Sequence, residues 1–361
     1  MSIENHATPE GTARYRERFA GHAAAGHFRS REGLYLSSIG IGTYLGNPDE
    51  ETDTRYKDAV VRAVQLGVNV IDSASNYRFQ RSERSIGEAL KELTTQHGFA
   101  RDELLICTKG GYLPFNGLAP FDVRRYIEAT FVIPGIASFN DFVAGSHCMT
   151  PAYLQNQLDQ SLNNLGVSTV DVYYIHNPES QLSEVSETEF YAALLRAFER
   201  LEQNRSEGKL RYYGVATWNG FRAATGSPEH HSLERMVELA RQTGGENHGF
   251  RFIQLPLNFA MTEAIPVADA ADKLGVTVIA SASMLQARLS RGLPDQIRVP
   301  LGPLASDAQA SIQFVRSTPG ITTALVGMSR IEHVEENLAL VQVEPVSLQK
   351  FAQLFHERRS L

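Results

Sequence analysis

Short apolar runs alternate with longer segments of helical spacing eight times between residues 34 and 341. The runs are LYLSSIGIGT (34–43), VNVIDSA (68–74), LLICTKGG (104–111), VDVYYIHN (170–177), LRYYGVATW (210–218), FRFIQLPLN (250–258), VTVIASAS (276–283) and ITTALVGMS (321–329). Runs of this length, bounded by turn residues and rich in β-branched and aromatic side chains, read as buried strands. Helices are expected between them, over 58–67, 151–166, 187–208, 232–244, 264–275, 306–318 and 333–341, with another starting in RSERSIGEAL. Gly67, Gly166, Gly208, Gly244 and Gly275 stand where a helix end favours glycine. Such repeats make parallel βα units, and eight of them close into an α/β fold, the (β/α)8 TIM barrel, of about 250 residues. A doubly wound open sheet is the other architecture, but no G-x-G-x-x-G opens an early helix. The chain then divides into an N-terminal extension (1–33), a barrel (34–345) and a C-terminal helix or tail (346–361).

Charge and composition remove several functions. The net charge is −7 and the basic residues are dispersed, so no nucleic-acid surface is expected. The opening MSIENHATPEGTARYRERFAGH has no apolar signal-peptide core. No apolar run reaches the roughly 18 residues of a membrane span. Two cysteines, Cys107 and Cys148, are too few for a disulfide framework and fit a reducing cytoplasm. Self-association into a homo-oligomer is left open.

Strand parity makes the sharpest functional statement. Side chains alternate along a strand, so Val68, Val70 and Asp72 share a face, as do Leu105, Cys107 and Lys109, and Val172, Tyr174 and His176. Three strands thus carry apolar residues inward and end on an ionisable group. In a closed barrel these ends meet at one mouth, with Tyr77 on the loop above. A buried lysine needs a counter-charge, which Asp72 supplies. A structural ion pair accounts for Asp72 and Lys109 but not for His176 and Tyr77; the four together read as catalytic. Cys107, one repeat beneath Lys109, reads as a packed thiol. Residues 112–150 interrupt the rhythm after the third strand, where barrel loops build active sites. This aromatic-rich insertion is expected to cover the mouth and narrow the pocket, or else to form an interface. His147 and Cys148 lack partners at metal spacing, so no metal is expected.

The ordered motifs GVNVIDSASNY, RSERSIGEAL, ICTKGG, STVDVYYIHNPE, GKLRYYGVATWN and GMSRIEHVEENL resemble those of the aldo-keto reductases, from about residue 34 to 342. The resemblance implies a barrel that binds NADPH, or less often NADH, across its mouth and reduces an aldehyde or ketone, or runs the reverse. It assigns Asp72, Tyr77, Lys109 and His176 to the catalytic tetrad, with Tyr77 as proton donor. A neighbouring ammonium favours the phenolate, so Lys109 is expected to lower the pKa of Tyr77. Some family members serve as nucleotide-binding subunits of channel complexes, which makes a regulatory or structural barrel the alternative.

The same resemblance distributes the cofactor contacts. Gly42, Thr43 and Asp72 fall at the mouth, and Gln254 matches a ligand of the nicotinamide carboxamide. Where the family has Ser-Asn, this chain has Ala216 and Thr217, of which Thr217 keeps one hydrogen bond. Where the family has Tyr-Ser-Pro-Leu, the residues are Ser281, Ala282, Ser283 and Met284, so the stacking ring is absent. Either another aromatic supplies that ring or the nicotinamide is held more loosely. At the adenosine end Gly327 replaces a lysine, Ser329 and Arg330 stand where some members bind phosphate, and Glu336 and Asn337 match an adenine-contacting pair. Arginine suits a phosphate dianion, which favours NADPH. Tyr44 and Trp218 are the expected walls of the substrate pocket.

Overall fold

The computed structural model describes residue 3 and residues 5–356. Helix α1 (Pro9–Arg18) and an antiparallel hairpin, β1 (Phe28–Arg31) with β2 (Leu34–Ser37), precede a closed barrel of eight strands. The run 34–43 is therefore not one strand: only its second half, β3 (Ile39–Gly42), enters the barrel. The break has a local cause. Ser37 Oγ donates to the Ile39 carbonyl at 2.7 Å, a side-chain bond that competes with a continuous ladder.

The barrel continues through β4 (Val70–Asp72), β5 (Leu105–Gly110), β6 (Val170–His176), β7 (Leu210–Ala216), β8 (Phe250–Pro256), β9 (Thr277–Ser281) and β10 (Ile321–Gly327), which pairs with β3. Every pairing in the ring is parallel. Between strands lie α2 (Glu50–Gln65) and α3 (Arg81–Gln96), a short α4 (Val123–Ile127), then α5 (Pro151–Leu165), α6 (Glu187–Ser206), α7 (Leu233–Gly244), α8 (Ile265–Lys273), α9 (Asp295–Arg298) and α10 (Asp307–Ser317), and α11 (Ile331–Leu338) follows the last strand. α12 (Leu348–His356) ends the described chain; the last part of the expected tail, 357–361, lies outside the described residues.

Helix α2 begins eight residues ahead of its apolar stretch. Its first turns are charged, and they are held by Asp49, whose carboxylate accepts the Thr52 N–H at 2.8 Å, with Glu50, Glu51 and Asp53 at the positive end of the helix dipole. Gly166 closes α5 with φ +65°, a conformation that glycine adopts without strain. At Gly214 on β7 a Cβ would sit 1.6 Å from the Phe252 carbonyl oxygen, so the barrel wall admits nothing larger.

Val70, Leu105, Cys107, Val172, Tyr174, Phe252, Ile279 and Leu325 pack together in the barrel interior. Leu34, Leu36 and Ala7 join that cluster, tied to the strands' N-terminal ends by Ser37 N–H to Asn69 Oδ1 at 2.8 Å and Ala7 N–H to Asp171 Oδ1 at 2.6 Å. The N-terminal extension is thus a stopper for the bottom of the barrel, and α1 anchors it through Tyr15, whose hydroxyl donates to the Val64 carbonyl at 2.6 Å.

The insertion 112–150 has a small core of its own, built from Leu113, Ile127, Phe131, Phe142 and Cys148 against Tyr153 of α5. Its neck is drawn shut by Leu113 N–H to the Ser146 carbonyl at 2.7 Å and Cys148 N–H to the Gly111 carbonyl at 2.8 Å. One side rests on the start of α3 through Phe79 and Phe115, 5.6 Å apart. The other meets the loop after β6, where Ala144 N–H donates to Glu184 at 2.8 Å.

Candidate active site

Parity carries Asp72, Lys109 and His176 inward at one mouth, directly above the apolar layer. Lys109 Nζ donates to Asp72 Oδ2 at 2.5 Å and to the Ser73 carbonyl at 2.7 Å. Gln254 Nε2 donates to the other carboxylate oxygen at 2.8 Å. Thr43 Oγ1 lies 3.0 Å from Ser73 Oγ and fixes the turn that follows β4. Burial pushes the pKa of Lys109 down, but Asp72 and Tyr77 push it further up, and the ammonium stays charged. Burial raises the pKa of Asp72 above the usual carboxylate value, against the opposing pull of Lys109 and Gln254.

Tyr77 lies over this pair. Its ring centroid is 4.9 Å from Lys109 Nζ and 5.7 Å from the His176 ring, which meets it edge-on at 76°. The expected lowering of the Tyr77 pKa is not what the surroundings produce. Burial raises it more than the Lys109 charge lowers it, so the phenol is protonated throughout the neutral range. His176 is driven well below its usual value, first by burial and then by the charge of Lys109, and is neutral. Its Nδ1 is buried without a partner among the described residues. An orphaned N–H is rarer in proteins than an orphaned acceptor, which places the ring proton on Nε2, the nitrogen left to face the cleft. The carbonyl of His176 accepts from His147 Nε2 at 2.8 Å, and Gln181 Nε2 donates to His147 Nδ1 at 2.8 Å. Burial lowers His147 to about 4 and keeps it neutral.

Above the four residues opens a cleft of about 470 Å³. Of the residues expected at the cofactor or substrate, Gly42, Thr43, Tyr44, Asp72, Thr217, Trp218, Gln254, Ser281, Met284 and Gly327 line it. Lys109 does not; it is buried below. Ser329 and Arg330 line a second cleft, beside Arg55, Asp58, Glu332 and His333. The chain turns away from the first cleft at Met328, which is fully buried. Glu336 and Asn337 line neither; Asn337 is buried with a free Oδ1.

The cleft also contains residues that the sequence did not single out for it. Tyr112 packs edge-on against His176 at 5.1 Å, and it is the one residue of the insertion on the cleft wall. The insertion as a whole stands to one side and does not cover the mouth. Two glycines after Lys109 bring Tyr112 there: Gly111, at φ +134°, turns the chain, and this Gly-Gly pair was the available signal. Asn177, at φ +43°, directly follows His176 and donates to the Tyr112 hydroxyl at 3.3 Å. Cys107 sits in the barrel interior, its pKa raised well above the ordinary value by burial and by Asp72, and is a thiol.

A closed eight-stranded barrel with a paired lysine, a phenol and a neutral imidazole at its C-terminal mouth defines a barrel protein equipped for proton transfer in an open cleft. Residues 38–292 match the model of the aldo/keto reductase family, and the chain belongs to that family. Among similar proteins is a D-threo-aldose 1-dehydrogenase of Pseudomonas, 24% identical, with 86% of this chain and 91% of that one aligned. Another, from Schizosaccharomyces pombe, bears the name of a voltage-gated potassium channel subunit beta and is 24% identical over 87% of each chain. An aldo/keto reductase from Klebsiella pneumoniae, solved with NADP and acetate, shares the fold at a TM-score of 0.62, with 20% identity and 92% and 95% of the two chains covered.

Proposed function

We propose that the protein is an oxidoreductase that reduces an aldehyde or ketone with NADPH, NADH being the weaker alternative. The observation that carries this reading is the stack at the floor of the cleft: Asp72 and Lys109 paired at 2.5 Å beneath Tyr77, with His176 beside its ring. The chain has open hydrogen-bonding capacity where a dinucleotide would lie. Among the described residues Thr217 Oγ1 and Ser283 Oγ are buried without partners on the cleft wall, and so is Asn337 Oδ1 on α11. Buried polar atoms left without partners are uncommon, and a bound nucleotide supplies both donors and acceptors. Thr217 and Gln254 would hold its nicotinamide end, and Arg330 with Ser329 its adenosine end. When bound, NADPH supplies two electrons and a hydrogen to the carbonyl carbon.

The chain's own residues handle the other proton. Tyr77 Oη is protonated at neutral pH and donates to the carbonyl oxygen. Lys109 steadies the phenolate that results, and Asp72 keeps Lys109 charged and in place. His176 Nε2–H orients the oxygen toward Tyr77. Tyr44, Tyr112 and Trp218 form the apolar walls around it.

The second reading is a nucleotide-binding barrel without turnover, favoured by the absence of a stacking ring at Ser281 and by the channel-subunit name of one relative. Two measurements separate them: quenching of Trp218 emission by NADPH, and loss of nicotinamide absorbance with a panel of neutral aldehydes and ketones. Binding with turnover supports the reductase. Tight binding with no turnover of any carbonyl supports the second reading.

A further inference from the structure

Three residues beyond His176, a carboxylate is buried with no lysine or arginine paired to it among the described residues. Glu179 is 7% exposed. Its Oε1 accepts from three successive backbone N–H groups, those of Trp218 at 2.6 Å, Asn219 at 2.9 Å and Gly220 at 3.4 Å. Consecutive N–H groups converging on one oxygen form a small anion-binding nest, and hydrogen bonds to an ionised acceptor are the stronger kind. Burial raises the pKa of Glu179, but His231, whose Nε2 is 3.7 Å from Oε2, and the backbone donors lower it further, so the nest is filled by a charge.

The far side of the loop is locked as well. His231 N–H donates to the Gly220 carbonyl at 2.8 Å. The His231 ring stacks on Phe190 at 4.9 Å and lies so close that a Cβ on Gly220 would come within 2.4 Å of it. The segment 218–220 is thus clamped between the loop after β6 and the stacked histidine. Its one side chain in the cleft is Trp218, which is 39% exposed.

We propose that Glu179 is a positioning residue: it holds the loop after β7 so that Trp218 stands against the substrate, and so sets substrate affinity without touching substrate. This rests on the reductase reading for its substrate half. The clamp also ties the wall of the pocket to the strand that bears His176, since Glu179 sits on the connection directly after β6.

Trp218 is the only tryptophan, so its emission reports the loop directly. In Glu179→Ala the three N–H groups lose their acceptor. The expected result is a red shift of the emission and stronger quenching by acrylamide. With a neutral aldehyde, KM is expected to rise about tenfold as Trp218 ceases to stand against the substrate, while kcat changes less than about threefold. Glu179→Gln keeps the shape and one acceptor and should fall between the two; it decides the matter if the alanine variant does not fold. Unchanged emission and quenching in a folded variant would overturn the clamp. A shifted emission with unchanged KM would overturn its bearing on substrate. If wild type turns over no carbonyl, the reductase reading and the substrate half fall together, and the emission arm still decides whether Glu179 holds Trp218.

Discussion

The two halves of the barrel mouth are built differently. At the ends of β4 and β5 the charged groups are committed to one another. Lys109 and Asp72 spend their hydrogen bonds on each other, on Ser73 and on Gln254. On the side of β7 and β9, Thr217 Oγ1 and Ser283 Oγ are buried with nothing to bond among the described residues. One half has its polar groups paired with one another; the other keeps polar atoms unpaired, and on the function proposed above the first serves proton transfer and the second a nucleotide. His176 stands between them, its backbone carbonyl fixed by His147 and its Nδ1 unpartnered. The contrast separates variants that damage the folded protein from variants that damage binding alone.

The largest effect is expected on the committed side. Lys109→Met leaves the Asp72 carboxylate buried without its cation, which costs about 3–5 kcal/mol of stability. Chemical denaturation at pH 7 measures it. A loss below about 1 kcal/mol would mean that the pair contributes no more than an exposed one.

On the ligand side the strongest single contributor is expected to be Arg330, which makes no side-chain bond among the described residues and borders the second cleft. Arg330→Ala should weaken NADPH by roughly 10- to 100-fold, the worth of one charge-assisted contact. NADH lacks the phosphate and should hardly change. Equal weakening of both cofactors, or of neither, would remove Arg330 from the phosphate site.

Acid sharpens the comparison from the committed side. Burial holds the folded-state pKa of His147 at about 4, below its unfolded value of about 6.5. Its stabilising contribution is full above that unfolded value and is lost as pH falls toward about 4. Between pH 7 and pH 5 this residue alone should remove about 2 kcal/mol. His147→Gln should be correspondingly less acid-sensitive than wild type in the same denaturation experiment. Identical pH dependence would show that His147 is not buried neutral beneath His176.

The smallest change tests the reserve capacity. Thr217→Val keeps the shape and removes the unpaired hydroxyl. The unliganded protein should be unchanged or slightly more stable, while NADPH binds about 3- to 10-fold more weakly. A loss of stability without loss of affinity would mean that the hydroxyl serves the fold.

Much of the first half was legible in the chain. A strand's period of two is local, so VNVID, LLICTKGG and VDVYYIH placed Asp72, Lys109 and His176 on one side without any knowledge of tertiary structure. The eight repeats likewise announced the barrel. What escaped depends on turns and on burial. Tyr112 reaches the cleft only through the bend at Gly111, and Asn177 through its left-handed backbone. The run 34–43 concealed a hairpin because its break lies in a serine side-chain bond. The direction of the Tyr77 shift turned on how deeply the ring is buried, which pairwise reasoning with Lys109 did not weigh. Arg55, on the second cleft, lies in the charged opening turns of α2, which carry no apolar rhythm.

The central claim is that Tyr77 gives the proton. Tyr77→Phe keeps the ring against His176 and Tyr44 and removes only the hydroxyl. Single-turnover oxidation of bound NADPH by a saturating neutral aldehyde measures its effect. The account predicts a rate lower by about a hundred- to ten-thousandfold, with the Kd for NADPH within about threefold of wild type. A variant that oxidises NADPH at the wild-type rate would contradict it.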